Sequence, residues 1–195
     1  MIFKMARLSI LICVALVATG FAQTQGDPHP ELTAKLNSLV KSGNDKVRNG
    51  DFDGAIADFT EAIKIDKVFP EYVQAGPYLN RGLALEKKGD LDAALVDFNK
   101  AIKLQSNSVY AYQNRAGLYE KRKELDPAIA DYSKAIKLNS KFPFAYRGRG
   151  LILLAQGKDA DAEADFANYL KLFPNGKDSL EKEIEKAKQE RAAKP

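Results

Sequence analysis

The sequence predicts an all-α protein in which antiparallel helical hairpins stack as an α-solenoid. Three observations predict this fold. Alanine, glycine and aromatic residues recur at a near-constant interval, apolar residues within each interval follow helical spacing, and charged residues fall where helices should begin and end. With 45% hydrophobic residues, the chain of 195 residues can bury the core of a domain of ordinary size.

The N-terminal segment has the composition of a secretory signal peptide. A cationic start with Lys4 and Arg7 precedes an apolar run over residues 8–21, and the small residue Ala22 follows. We expect residues 1–22 to be cleaved after Ala22 and the protein to be exported, periplasmic or secreted. The alternative is an uncleaved N-terminal segment that anchors the chain in a membrane, although a spanning helix needs roughly 20 apolar residues.

Charge and composition exclude several classes of function. The formal charge of +4 falls to about +2 without Lys4 and Arg7, which is far from the basic patch that binds nucleic acid, so we expect no nucleic acid partner. The only cysteine, Cys13, lies in the apolar run, so the mature chain would have no disulfide. The only histidine, His29, falls in a polar linker (residues 23–30), and no second His or Cys completes a metal site.

Residues 31–176 contain four internal repeats. Equivalent alanines are separated by 39, 34 and 34 residues, and an aromatic residue follows each alanine by four positions. A small residue upstream keeps the same intervals, so that two helix backbones can approach closely beside the aromatic ring. The alanines are Ala55, Ala94, Ala128 and Ala162, the aromatic residues are Phe59, Phe98, Tyr132 and Phe166, and the small residues are Gly43, Gly82, Ala116 and Gly150. Repeats 1 to 4 span residues 36–69, 75–108, 109–142 and 143–176.

Each repeat is predicted to form two antiparallel helices. In repeat 1, the five apolar residues of the second helix lie at three- and four-residue steps, which places them on one helical face. They are Ala55, Ile56, Phe59, Ala62 and Ile63. One hairpin leaves an apolar face exposed, so neighbouring hairpins must stack to bury it.

Charged residues mark the ends of the second helices. Acidic residues stand at each predicted start, where they can cap free N–H groups; we expect Asp126 to be an N-cap, with Pro127 as the first helical residue. A lysine in each last turn faces the negative end of the helix dipole. The predicted starts are Asp51 to Asp53, Asp90 to Asp92, Glu124 to Asp126 and Lys158 to Asp161, and the lysines are Lys64, Lys103, Lys137 and Lys171.

An insertion of five residues, 70–74, separates repeats 1 and 2 and accounts for the single interval of 39. It must either lengthen the loop or extend the next helix backwards. At the other end, Tyr169 stands where the earlier repeats have alanine, and its bulk would block the close approach of another full repeat.

Residues 177–195 are predicted to form a C-terminal capping helix and tail that solvates the open end of the stack. Asp178 and Glu181 resemble a capping box at its start. A short apolar stripe runs along the helix among lysines and glutamates. Its members are Leu180, Ile184 and Ala187.

The residue pattern of repeat 2 resembles the tetratricopeptide repeat (TPR). The matching residues are Tyr78, Gly82, Leu85, Gly89, Leu91, Ala94, Phe98 and Ala101. The motif is degenerate, and it becomes specific because it recurs at a fixed period over residues 36–176. The resemblance implies a right-handed superhelix whose first helices line a concave groove that binds a peptide or partner protein, with no cofactor.

The resemblance also implies which side chains line this groove. They combine amide groups that can bind a peptide backbone, apolar pockets and one cation, while the alternative for each is packing against a neighbouring helix. The candidates are Asn44, Leu79, Asn80, Leu83, Tyr110, Gln113, Asn114, Phe144, Arg147 and Leu151, and the same projection adds Asn37, Val40, Val47, Glu86, Gly117 and Leu154.

One subset of the family clamps the acidic tails of cytosolic chaperones with two Asn, two Lys and one Arg. Asn44 and Asn80 match its asparagines, but Val40, Tyr110 and Asn114 stand where the clamp needs cations. The carboxylates of such a tail would therefore lose their partners, and we do not expect chaperone-tail binding.

Two further recurrences favour a structural interpretation over ligand binding. An arginine on the first helices and an aspartate on the second helices could form ion pairs that fix the stacking register. The residues are Arg81, Arg115 and Arg149, with Asp58, Asp97, Asp131 and Asp165. Tyr78, Tyr112 and Tyr146 are interpreted as packing residues between repeats.

The expected function is that of a non-enzymatic scaffold that binds a protein or peptide in the periplasm or outside the cell. The alternative is a structural subunit that self-associates as a homo-oligomer or joins an envelope assembly without peptide binding in the groove. An enzyme is the least favoured class, because the sequence has no G-x-S-x-G and no H-E-x-x-H motif. Carboxylate pairs such as Asp51 and Asp53 are explained by helix capping.

Overall fold

The computed structural model describes residues 29–65 and 69–193, and every regular element within these ranges is a helix. The predicted all-α fold is confirmed. The predicted signal peptide (1–22), most of the linker (23–30) and the end of the predicted tail (194–195) lie outside the described residues.

The chain divides into two compact units, Met1–Ser106 and Asn107–Pro195, which we call the N-terminal unit and the C-terminal unit. The N-terminal unit stacks two helical hairpins through contacts between the second and third helices. Its helices are α1 (Pro30–Asn49), α2 (Phe52–Ile65), α3 (Glu71–Lys88) and α4 (Leu91–Leu104).

The C-terminal unit stacks two further hairpins in the same way and adds one helix. A short 3₁₀ turn, Pro174–Gly176, leads into that last helix. The helices are α5 (Val109–Lys121), α6 (Leu125–Leu138), α7 (Pro143–Ala155), α8 (Asp159–Leu172) and α9 (Lys177–Ala192). None of the helices in the described part of the chain has the length and apolar character that membrane crossing requires.

The recurring alanines and aromatic residues form the core of each hairpin, and all four alanines are completely buried. In three repeats the ring of the second helix packs against a glycine of the first helix. A Cβ atom at that glycine would lie 2.7 Å from a ring carbon, so no larger residue fits without a shift. The pairs are Gly43 with Phe59, Gly82 with Phe98, and Gly150 with Phe166.

The predicted helix ends are confirmed in some places and wrong in others. Asp51 accepts a hydrogen bond from the Gly54 amide (2.9 Å), and Asp90 caps α4 through the amide of Ala93 (3.2 Å). The prediction for α6 is wrong, because Glu124 is its N-cap residue, and it caps without a side-chain hydrogen bond.

The reason lies in the core, where Leu125 packs beside the buried cluster around Tyr132 and starts the helix before Asp126. The predicted capping box of α9 is also wrong. The 3₁₀ turn delivers the chain into the helix at Gly176, and Asp178 falls in the first turn.

The insertion at residues 70–74 extends a helix and does not lengthen a loop. Helix α3 has 18 residues, whereas α5 and α7 have 13 each. Phe69 before the extension and Val73 within it pack on the cluster that contains Leu36 and Val40. The added turn is therefore held by apolar contacts with α1.

Candidate functional site

The arginine and aspartate recurrences form the predicted ion pairs in repeats 2, 3 and 4. In each pair the guanidinium donates two hydrogen bonds of 2.7 or 2.8 Å to the two carboxylate oxygens, and the aspartate side chain is at most 9% exposed. The pairs are Arg81–Asp97, Arg115–Asp131 and Arg149–Asp165. These charges hold the two helices of a hairpin together, as the structural interpretation predicted.

Two of these arginines also reach back to the preceding hairpin of their own unit. Arg81 donates to the hydroxyl of Thr60 (3.1 Å), and Arg149 donates to Ser133 (2.8 Å). Repeat 1 differs, because Asp58 pairs with Lys46 at 2.7 Å. Burial acts to raise the pKa of Asp58, but the hydrogen bonds from Lys46 and Ser42 outweigh it and lower this pKa.

The predicted groove residues of the N-terminal unit differ in how far they are buried. Asn44, Leu79 and Leu83 are half-buried. Asn80 is only 6% exposed, and its amide nitrogen has no hydrogen-bond partner among the described residues. Val40 is part of the core, since it packs in the same cluster as Phe69. For Val40 the packing alternative is therefore the correct one.

The groove residues on α5 in the C-terminal unit lie beside a run of aromatic rings. Tyr110 meets Phe142 edge to face with ring centres 5.4 Å apart, and Phe142 meets Phe144 at 6.0 Å. Gln113 and Asn114 are half-buried. Within the described chain, the Asn114 amide nitrogen is buried and makes no hydrogen bond. These residues of α5 therefore combine an aromatic ring with an amide N–H group that has no acceptor among the described residues.

The groove residues on α7 are covered by the C-terminal helix α9. Arg147 donates to Glu183 of α9 at 3.0 Å, and Leu151 packs beside the cluster that contains Leu180. At the end of α7, Arg191 donates to the carbonyl of Leu154 at 2.9 Å. A ligand of these side chains would have to take the place of α9, and their ligand contact stays a prediction.

Tyr169, predicted to prevent a further repeat, is 2% exposed. Its ring lies 5.8 Å from that of Phe173 and 6.4 Å from that of Phe144. A Cβ at Gly176 would lie 2.7 Å from the Tyr169 ring, so the bulky side chain is accommodated by a glycine in the turn before α9.

Three residues that the sequence analysis did not select belong to this region: Glu120, Phe142 and Glu183. Phe142 stands next to Pro143 and two positions before Phe144, an aromatic pair that would have marked it. Glu183 is adjacent to Ile184 of the apolar stripe of α9, and a carboxylate that borders such a stripe could have been selected from the sequence. Glu120 had no local signal, since its environment is built by other helices.

Glu120 carries a half-buried carboxylate on α5. It accepts a hydrogen bond from the hydroxyl of Tyr132 (3.2 Å). Burial raises the pKa of Glu120 above its ordinary value of 4.5, against the opposing effects of Tyr132 and the Arg147 charge. The Glu183 charge adds to the rise. The guanidinium of Arg147 therefore interacts with two carboxylates: it donates a hydrogen bond to Glu183, and its charge acts on the pKa of Glu120.

This arrangement of amides, aromatic rings and one paired cation is suited to binding a polypeptide. In the part of the chain that the structure describes, no group of three His, Cys, Asp or Glu side chains could hold a metal ion. Asp51 and Asp90 accept capping hydrogen bonds, and Asp97 is engaged in an ion pair.

Comparison with known proteins supports the repeat assignment. The tetratricopeptide repeat family matches residues 76–108, and a second TPR family matches residues 118–157. Repeat 1 lies outside both ranges. No characterised protein sequence matches the chain significantly.

Solved structures with similar folds include a MamA protein, with 24% identity, 73% of this chain and 81% of that chain covered, and a TM-score of 0.63. A tetratricopeptide repeat protein from Parabacteroides merdae has 23% identity and a TM-score of 0.66 over 80% of this chain and 61% of that chain. The first TPR domain of Spaghetti (RPAP3), bound to an HSP90 peptide, has 24% identity and a TM-score of 0.57 over 64% and 94% of the two chains. At these identities the likeness is one of fold. Residues 76–108 and 118–157 of this all-α chain are tetratricopeptide repeats.

Proposed function

We propose that this protein is a non-enzymatic scaffold that binds a peptide or protein partner outside the cytoplasm. The observation that carries the proposal is on α5, where the buried amide nitrogen of Asn114 finds no acceptor within the described residues. One helical turn earlier, the half-buried ring of Tyr110 meets Phe142. A buried donor without a partner is costly, and a peptide carbonyl would satisfy it once the face opens slightly.

The fold supports the same proposal. Similar TPR structures include one bound to an HSP90 peptide, and repeat scaffolds present extended surfaces for such contacts. The partner of this chain would differ from that peptide, because Tyr110 and Asn114 replace the cations of a carboxylate clamp. We infer a ligand read through its backbone and apolar side chains, with few acidic contacts on α5.

The location outside the cytoplasm is the second part of the proposal. It is supported by the cationic start, apolar run and small residue of the first 22 residues. It is also supported by the absence of cysteine after Cys13, since a chain without thiols is indifferent to an oxidising compartment.

Peptide-library selection on the immobilised protein tests the binding role. Selected peptides are labelled, and their affinities are measured by fluorescence anisotropy for the wild type, Asn114→Ala and Asn168→Ala. Asn168 is the matched control, because it is exposed on α8 and its amide already donates to the carbonyl of Ala164 (2.9 Å). We expect Asn114→Ala to weaken binding by about tenfold, near 1.4 kcal/mol, and Asn168→Ala to leave it unchanged.

A library that returns no peptide above background would contradict peptide binding by the α5 face. Equal affinity for all three proteins would show that Asn114 does not take part in binding. Circular dichroism of both variants verifies that any loss of binding is not a loss of fold.

A further inference from the structure

The last helix, α9, does not continue the stacking of its unit. Within each unit, a second helix packs on the first helix of the next repeat, as α6 does on α7. Helix α9 packs chiefly on α7, a first helix. The hydrogen bonds Arg147–Glu183 and Arg191–Leu154 join residues 36 and 37 positions apart, so the two helices run in the same direction. Helix α9 thus lies along side chains assigned to the groove.

The apolar contact that holds α9 is a narrow stripe, and polar contacts of Arg147 and of Arg191, which also pairs with Asp159 of α8, add to it. Leu180 is its one buried residue, and Ile184 and Ala187 are half-buried beside the same cluster. Most other side chains of α9 are exposed lysines, glutamates and glutamines. Its docked face is therefore small in comparison with the cores of the repeats.

Helix α9 also has internal support that does not depend on docking. Lys177 pairs with Glu181, Lys186 pairs with Glu190, and Gln189 donates to Glu185, each across one helical turn. Such pairs stabilise isolated helices, and the sequence is rich in strong helix formers. These local contacts favour a helical conformation of residues 177–192 whether or not they are docked.

The polar contact at the centre of the docked face is incomplete. Arg147 and Glu183 share one hydrogen bond, yet Nε of Arg147 and Oε2 of Glu183 are buried without a partner among the described residues. The charge of the same guanidinium acts to lower the pKa of Glu120 on α5, although burial raises it overall. A carboxylate from another chain could bond this arginine at least as well as Glu183 does.

We propose that α9 is an exchangeable occupant of this face of α7 and that the partner is an acidic amphipathic helix which displaces it. The partner helix would carry a leucine, a carboxylate three residues later, and apolar residues four and seven positions after the leucine. That is the spacing of Leu180, Glu183, Ile184 and Ala187 in α9. This inference rests on the proposed function, because it names a class of partner for the C-terminal unit.

The test uses a labelled synthetic peptide with the sequence of residues 177–192 as the probe and the whole chain as the receptor. In the receptor chain, Glu183→Ala should weaken the docking of α9 and raise the fraction of molecules whose α7 face is open to the probe. We therefore expect the probe to bind this variant about tenfold more tightly than it binds the wild type. Glu185→Ala removes the same charge from an exposed position of α9 and should bind the probe as the wild type does.

A second comparison identifies the arginine. The double variant Arg147→Ala with Glu183→Ala should not show the tenfold increase in probe affinity. The increase should also be absent when the probe carries alanine at the position of Glu183. If Glu183→Ala does not fold, as judged by circular dichroism, Glu183→Gln replaces it. Equal affinity of the probe for the wild type and Glu183→Ala would overturn the proposal, as would a gain that survives loss of Arg147.

Light scattering separates a partner from a second copy. A wild type that becomes dimeric with rising concentration through exchange of α9 would overturn the assignment to a partner helix. The proposed function is tested independently, because library peptides that need Asn114 can bind even if the probe shows no gain. If Glu183→Ala binds the probe more tightly but no library peptide is selected, only the binding role of the α5 face is contradicted.

Discussion

At the scale of single residues, the aromatic ring of each second helix determines where the chain must have glycine. In repeats 1, 2 and 4 that glycine lies on the first helix of the same hairpin. Repeat 3 has Ala116 there and Tyr132 as its ring, and the close contact moves to Gly148 of the next first helix. A Cβ at Gly148 would lie 2.7 Å from the Tyr132 hydroxyl oxygen. The tyrosine ring of repeat 3 and the glycine that accommodates it therefore lie in two successive repeats of the same unit.

This pairing predicts opposite effects for two glycine-to-alanine changes on first helices. Gly148→Ala should lower the free energy of unfolding by about 2 kcal/mol, because the new methyl group overpacks against Tyr132. Gly117→Ala should raise it by about 0.5 kcal/mol, because the nearest atom to its Cβ would be 3.8 Å away and alanine favours the helix. Urea unfolding followed by circular dichroism measures both. Equal shifts for the two variants would contradict the packing.

The half-buried carboxylate of Glu120 predicts a dependence of stability on pH. Its pKa in the folded chain is above 4.5, so the folded state takes up this proton before the unfolded state does as the pH falls. The contribution of Glu120 to the free energy of unfolding therefore rises as the pH drops from neutrality towards 4.5, and it is constant below that value. We expect Glu120→Gln to be more stable than the wild type at pH 7, with a difference that shrinks towards pH 4.5.

Urea unfolding at several pH values between 7 and 4.5 measures this difference. Glu163→Gln on α8 is the control, since its side chain is exposed. A difference between Glu120→Gln and the wild type that stays constant with pH would show that burial does not govern this carboxylate.

At the scale of helices, the insertion shows tertiary contacts overriding a local signal. Pro77 lies inside α3 and is fully buried. A proline in a helix interior costs about 3 kcal/mol, and its position would have suited the start of a shorter helix. The helix nevertheless begins at Glu71, because Phe69 and Val73 pack against apolar residues of α1. The sequence left a longer loop and a longer helix as alternatives, and these contacts decide between them.

We expect Phe69→Ala to reveal the strength of this anchor. Phe69 is 8% exposed, and its truncation should destabilise the protein by about 3 kcal/mol through the cavity it leaves. Val96→Ala, at a position 67% exposed on α4, should change stability by no more than about 0.5 kcal/mol. Thermal unfolding by circular dichroism compares the two. If Phe69→Ala behaves like Val96→Ala, the insertion does not anchor α3.

At the scale of the whole molecule, the charge pattern separates structural from ligand-binding side chains. Three arginines form bidentate pairs inside hairpins, whereas Arg147 pairs with Glu183 of α9, a helix that can be exchanged under our proposal. Breaking one of the bidentate pairs would leave a charge uncompensated in the core. These pairs are therefore unsuited to release for a ligand.

The N-terminal segment makes a prediction about the chain as a whole. Expressed in a bacterial host, the protein should be recovered from the periplasmic fraction with Gln23 as its first residue, as determined by mass spectrometry. Leu11→Arg places a charge in the apolar run and should leave a full-length chain in the cytoplasm. A full-length wild type in the membrane fraction would support the anchored alternative, and one in the cytoplasm would contradict export.

The sequence by itself determined the period, the helical hairpins and the pairing of arginine with aspartate. These features depend on spacings within one repeat, where helical geometry dictates which side chains meet. The tertiary structure decided which groove candidates are accessible: Asn80 and Val40 are buried, and Arg147 lies beneath α9. It also decided the position of Gly148 against Tyr132 and the hydrogen bond from Tyr132 to Glu120. Those outcomes arise from contacts between different helices, which no local spacing encodes.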